Sequence, residues 1–361
     1  MIHDFLLIGG GIAGISAAAR LSHLGSVLLL EGENHLAHHA SGRSAALYEP
    51  RYGAAPVVAL SLASGSYFHS LPNVLTPRGL MILARADQSA SFAQDIADMA
   101  LDPIPFDQAR AMVPILNPAT VAHVAWGDHA WDIDTDRMIQ TFAREARGNG
   151  AKIVTGQRVT SIRRDGGWIV QTAAETHAAR LLVNAAGAWA DDVARMAGVQ
   201  PLDFQPMRRS MARIPAPGNH DVSRWPMMFG CGESWYAKPD AGALIVSPAE
   251  EHPMEPHDAW AEDIVLAEGL ARYEAMVTEP VTRLITSWAG LRTFAPDRVP
   301  VIGRDPATPD FFWLAGQGGY GFQSAPAASQ LAADLIAGRP SGLDAGLIAS
   351  LDPARFSARP H

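Results

Sequence analysis

Apolar residues along this chain gather into short unbroken runs, each followed by a turn of small residues and then by an alanine-rich stretch with helical spacing. In FLLIGGGIAGISAAARL, residues 5–8 predict a buried strand, residues 9–14 a turn and residues 15–24 a helix. SVLLLEGE supplies the next strand. The pattern returns in DTDRMIQTFAREARGNG, an amphipathic helix closed by glycines. It continues through AKIVTGQRVTSIRRDGGWIVQT, read as strand and hairpin, into the strand, turn and helix of ARLLVNAAGAWADDVARMAGV. It appears a third time in VPVIGRD and FFWLAGQGGYGFQSAPAASQLAADLIAG. Between these units lie shorter alternating runs, GLMILAR, SMARIP, SWYAKPD and GALIVSP, which predict an antiparallel-leaning sheet. No long linker separates the two kinds of segment, so two interleaved domains are expected. One is a Rossmann-like domain built from residues 1–78, 136–204 and 297–361. The other is an α+β domain with a mixed, largely antiparallel sheet, built from 79–135 and 205–296.

The glycines of the first turn carry chemistry. Glycine costs ~0.5–1 kcal/mol relative to alanine inside regular structure, so a cluster of four marks a place where the backbone must be approached closely. In Gly9-x-Gly11-x-x-Gly14, Gly9 permits the tight turn, Gly11 lets phosphate oxygens reach main-chain N–H groups, and Gly14 lets helix and strand pack. Glu31 follows Gly11 by twenty residues, where a carboxylate accepts hydrogen bonds from an adenosine ribose. A dinucleotide site is the reading.

Composition narrows the partner. The 361 residues are 48% hydrophobic and 18% charged, enough for two sizeable cores. A net charge of −9 and a pI near 5.8 argue against nucleic acid or an anionic membrane surface and for a small molecule. Cys231 alone gives no disulfide framework, which suits a reducing, cytoplasmic compartment. The apolar N-terminus carries Asp4 and no early Lys or Arg, unlike a signal peptide, and no run is long enough to span a bilayer.

Downstream of Glu31, Ser41 is placed to cap a following helix, and the backbone of Gly42, Arg43 and Ser44 to hold another part of the cofactor. His38 and His39 are adjacent, so their side chains point apart, and no ligand-spaced partners follow; no metal is expected. A single glycine fingerprint means one dinucleotide, NAD or FAD. The second glycine-rich turn, GQGGYGFQ, opens a helix about three hundred residues later, which a simple NAD enzyme does not need. A flavin does need it, because hydride arrival leaves negative charge that a helix N-terminus stabilises.

Together IGGGIAGISAA, LLLEGE, SGRSAA, LVNAAGAWAD, WAGLRTFAPDRVPVIG and GQGGYGFQ resemble the D-amino-acid oxidase family of FAD enzymes, and within it the D-arginine dehydrogenase type. The resemblance runs from about residue 2 to about 340. It implies an FAD-binding domain of the glutathione-reductase type, noncovalent FAD, and hydride transfer from the α-carbon of a D-amino acid to flavin N5. It also implies that Gly9, Gly11, Ile12, Ala13, Gly14, Glu31, Gly32, Ser41, Gly42, Arg43, Ser44, Ala45, Ala46, Val159, Gly187, Trp189, Gly303, Gly318, Gly319, Tyr320, Gly321, Phe322 and Gln323 surround the cofactor.

On the substrate side Arg292 is a cation on an expected strand, and a guanidinium suits bidentate capture of a carboxylate. By resemblance Tyr52, Tyr236 and Arg209 join it, with Gly290, Gly319 and Gln323 around the substrate. Trp225, Trp235, Trp288 and Trp313 are expected mainly as core. Arginine-directed relatives place an acid at the position of Leu80 and a histidine at that of Leu47, so leucine at both implies neutral D-amino acids over D-Arg. The alternative is that Leu80 is plain core and Glu49 or another acid supplies the charge. Glycine or sarcosine oxidation and 2-hydroxy-acid dehydrogenation stay open, as does O2 or a quinone as electron acceptor. A flavin-bound tRNA-modifying protein would want a basic patch that the charge of −9 does not offer.

Overall fold

The computed structural model describes residues 2–357, so residues 1 and 358–361 of the expected domain spans lie outside it. Strand β1 (Ile2–Ile8) runs parallel to β2 (Val27–Leu30) on one side and to Thr176–Asn184 on the other. β2 pairs in turn with Lys152–Val154, and the end of Thr176–Asn184 pairs with Phe311–Ala315. The hairpin Val159–Arg164 and Trp168–Thr172 completes the edge, with Val301–Arg304 beside Phe311–Ala315.

Continuous apolar runs are what a sheet buried on both faces requires. Leu7, Leu29, Val183 and Phe312 point into one core with helix α1 (Ile12–Leu21) and the helices Thr135–Gly148 and Gly321–Ala337. Leu6, Leu28, Leu30 and Trp313 point into the other, covered by Ala190–Ala197. The helix Thr135–Gly148 starts where expected because the Asp134 side chain accepts the Arg137 N–H.

The alternating segments form a second, largely antiparallel sheet in which only Leu80–Ala84 and Met227–Gly230 run parallel. Its long pair, Gln205–Pro215 against Thr286–Phe294, sets Met207 opposite Arg292 and Arg209 opposite Gly290. A small sheet of Leu47–Tyr48, Trp131–Ile133 and Leu75–Pro77 lies between the two in sequence. Among the described residues no helix is long and apolar enough to cross a membrane.

Two local expectations fail. Helix α1 begins at Ile12 rather than residue 15, so Gly14 sits inside its first turn. No helix follows Ser41 directly: Ala40–Arg43 is one 3₁₀ turn, and the next helix, Ala55–Ser70, opens with proline in its first turn. The Ser41 hydroxyl instead accepts the Ile12 N–H at 3.0 Å, capping a helix 29 residues earlier in sequence.

Candidate active site

The first glycine turn is shaped by contacts no side chain could share. Gly9 has φ +108°, and a Cβ there would lie 2.4 Å from the Ala185 carbonyl oxygen. At Gly14 a Cβ would come within 1.9 Å of the Gly9 carbonyl oxygen, which lets α1 press onto the turn. Gly11 caps α1 and a Cβ there would meet only Ser41 Oγ, at 3.1 Å. Glu31 directly follows β2 with its carboxylate fixed: Oε2 accepts the Gly10 N–H at 2.6 Å and Oε1 the Glu33 N–H at 2.8 Å.

From here three linked cavities cross the molecule. The largest, about 190 Å³, is lined by Gly9, Gly11, Glu31, Gly32, Ser41, Arg43, Val159, Gly187, Trp189 and Gly290. The second, about 120 Å³, shares Gly11, Ser41, Arg43, Gly187 and Gly290 with it and adds Ile12, Ala13, Ser44, Arg209, Arg292, Gly318, Gly319, Gly321 and Phe322. The third, about 50 Å³, shares Ser44, Arg292, Gly319 and Phe322 with the second and adds Ala45, Ala46, Leu47, Glu49, Tyr52, Tyr236 and Gln323. Two helix N-termini, those of α1 and Gly321–Ala337, open onto this trough, each bringing first-turn N–H groups and partial positive charge.

Arg292 stands where the second and third cavities meet. Its guanidinium lies against Gly319, where a Cβ would fall 2.8 Å from Nη1. Among the described residues no hydrogen bond or ion pair engages it. Burial works against its charge, but Tyr236, Tyr52 and Glu233 outweigh that and hold its pKa above the usual value. Tyr52 donates its hydroxyl to Glu233 at 2.9 Å, and burial, with Glu233 adding, keeps the phenol protonated well above its ordinary range. Tyr320 packs 5.2 Å from the Tyr52 ring. Tyr236 donates to Met211 Sδ at 3.3 Å. Gln323 accepts the Glu49 N–H and donates to the Tyr52 carbonyl, tying residues 49–52 to the helix Gly321–Ala337.

Other expected residues are held by further contacts. Arg209 is committed to the Glu250 carbonyl and to Glu251, which also holds Arg298. Gly303 lines none of the three cavities; a Cβ on it would meet Pro353 at 2.6 Å, so it packs against the C-terminal segment. Gly14 and Gly42 likewise serve backbone packing, Gly42 against the Ala37 carbonyl at 2.2 Å. Leu80 is wholly buried and does not line the third cavity; Met227, its parallel partner, does. Trp225, Trp235 and Trp313 are core. His38 and His39 do acquire partners: their ligand atoms and those of Glu33 lie within 4.8 Å of one another. His39 Nε2 and Arg158 both approach Glu33 Oε1, at 3.1 and 2.8 Å, and Trp189 packs 4.6 Å from the His39 ring.

Residues 4–335 match the family model described as DAO, FAD dependent oxidoreductase. The chain belongs to this DAO family. Its fold agrees with glycine oxidase from Geobacillus kaustophilus, at a TM-score of 0.83 and 22% identity over 97% of this chain and 98% of that one. It agrees equally with L-alpha-glycerophosphate oxidase from Mycoplasma pneumoniae with FAD bound, at 0.82 and 20% over 93% and 95%. Among curated sequences the tRNA 5-methylaminomethyl-2-thiouridine biosynthesis bifunctional protein MnmC of Thiobacillus denitrificans is 29% identical over 97% of this chain. The chain spans 59% of that relative's length. FAD is the cofactor of the DAO family, and the trough fits it, with an acid and a glycine cradle at one end and a second helix N-terminus at the other.

The sequence reading passed over Met227, Phe229 and Gln317, which line the inner cavities, and Glu233, which accepts the Tyr52 hydroxyl. Glu49 entered it only as an alternative source of charge.

Proposed function

We propose that this DAO-family chain oxidises a D-amino acid with a neutral side chain, giving an imine that water converts to a 2-oxo acid and ammonia. The observation that supports this reading is the unpaired Arg292 guanidinium between the two inner cavities, a partner for one carboxylate. FAD bound in the trough supplies the hydride acceptor. Glu31 and the α1 N-terminus would hold its ribose and pyrophosphate, and Gly318, Gly319 and Gly321 would form the bed beside Arg292. Arg292 anchors the substrate carboxylate, with the protonated Tyr52 and the Tyr236 hydroxyl beside it, and so fixes the α-carbon toward the trough. A neutral substrate amine needs no protein base, since its own lone pair assists departure of the hydride. Leu47, Met227 and Phe229 form an apolar wall for the side chain, where burial yields ~25 cal/mol per Å².

The small third cavity, about 50 Å³, favours a second reading: a primary or secondary amine as small as that of the similar glycine oxidase. Anaerobic titration of the yellow protein with glycine, sarcosine, D-2-hydroxy acids and a panel of D- and L-amino acids separates the readings. Bleaching by D-Leu, D-Met or D-Phe at higher kcat/KM than by D-Arg, D-Lys or glycine supports the proposal. Bleaching only by L-amino acids or hydroxy acids ends it.

A further inference from the structure

Glu49 is the one carboxyl among the residues that line the third cavity, and it is 1% exposed. Its Oε1 accepts the Arg51 N–H at 3.0 Å. Its Oε2 has no hydrogen-bond partner among the described residues. Among the described residues its one ion-pair contact within 4.0 Å is His129, with Nε2 at 3.4 Å, but that nitrogen is 3.0 Å from the Met99 carbonyl oxygen and so carries its proton toward it. Of the other residues lining the cavity, Leu47, Met227 and Phe229 offer no donor, and Tyr52, Tyr236 and Gln323 donate to Glu233, to Met211 and to the Tyr52 carbonyl. Leaving a buried polar atom unpaired is costly, and most such atoms in native structures find a partner in protein, water or ligand.

We infer that Glu49 is a specificity-determining residue, whose free carboxyl oxygen turns from His129 into the third cavity to hydrogen-bond a polar group on the substrate side chain, so that the site takes neutral polar D-amino acids such as those ending in a carboxamide. This rests on the function proposed above and adds one polar contact to an otherwise apolar wall. Burial pushes the carboxyl up to about 8, against the Arg51 N–H and charge, so near neutral pH Glu49 is mostly the acid and can both donate and accept. A carboxamide meets both roles at once. A cationic side chain would need the ionised form, which keeps D-Arg and D-Lys poor at neutral pH.

D-Asn and D-Leu have nearly the same shape and differ in this one respect, so their kcat/KM ratio reads the contact. Glu49→Leu is expected to lower the D-Asn to D-Leu ratio at least ~10-fold, while Glu49→Gln keeps it within about threefold of the natural protein. Binding of the unreactive acids succinamate and 4-methylpentanoate, followed by flavin absorbance, gives a readout that needs no turnover. Glu49→Leu is expected to weaken succinamate and leave 4-methylpentanoate unchanged or tighter. Equal effects on both acids overturn the role of Glu49 whatever the enzyme oxidises. Selective weakening of succinamate without turnover of any D-amino acid upholds the contact and overturns only the reaction.

Discussion

Arg292 and Glu49 stand on the same cavity with opposite needs, and each makes a separate measurement. Removing the guanidinium should cost the substrate its charge-assisted anchor, roughly 2–5 kcal/mol, and leave the glycine cradle of the cofactor untouched. Arg292→Ala is therefore expected to purify yellow and to show kcat/KM lower by at least ~30-fold, mostly through KM; an unchanged KM would take Arg292 out of the site. For Glu49 the sign runs the other way from a salt-bridged acid. Its carboxyl is held at about 8 against an ordinary 4.5, so the folded chain keeps a proton that the unfolded chain releases between those values. Stability falls as pH rises through that window, by ~1.4 kcal/mol per pH unit at most, and the loss is complete only above about 8. Glu49→Gln removes the titration. Thermal melts at pH 6 and pH 9 should show the variant gaining on the natural protein at the higher pH, and parallel shifts in both would mean that Glu49 ionises freely.

At the level of elements, the cofactor end depends on α1 starting where it does. Ser41 meets the Ile12 N–H and Gly14 lets the helix rest on Gly9, so both residues set the aim of the same N-terminus. Ser41→Ala should lower stability by ~1 kcal/mol and weaken FAD binding. Gly14→Ala forces a Cβ to 1.9 Å from a carbonyl oxygen and should give little or no yellow protein; full flavin content in Gly14→Ala would refute that packing. The strands and helices were legible because parallel strands buried on both faces leave continuous apolar runs, and because the helix Thr135–Gly148 announces itself with Asp134 and a one-sided apolar stripe. Fingerprint, acid and second glycine turn were legible too, since each depends on local backbone. What escaped depends on distant pairing. The Ser41 cap is 29 residues from its donor, and the seating of Met227 rather than Leu80 at the cavity depends on two strands brought parallel across the second sheet. Glu49 is visible in the sequence as an acid, but its burial and orphaned oxygen exist only once the small sheet and the helix Gly321–Ala337 enclose it.

For the whole molecule the balance of charge separates a small substrate from a large one. The MnmC relative is named for tRNA, and its greater length leaves room for functions this chain does not span. Polyanions are captured by unpaired cations, and here 28 Lys and Arg face 37 Asp and Glu. Many exposed arginines are already neutralised: Arg164 by Asp310, Arg180 by Asp4, Arg298 by Glu251 and Arg195 by Asp192. The cation without such a partner at the site, Arg292, stands between two cavities rather than on an open face. Counterion release from several phosphates is the main source of nonspecific nucleic-acid affinity, so a surface with this balance should have almost none at physiological salt. Filter binding of unmodified tRNA at ~150 mM salt is expected to show no retention at micromolar protein, and lowering the salt tenfold should produce only weak binding. Tight, steeply salt-dependent retention would point to a basic face able to carry a nucleic acid to the trough, and a free D-amino acid would then lose its claim as the substrate.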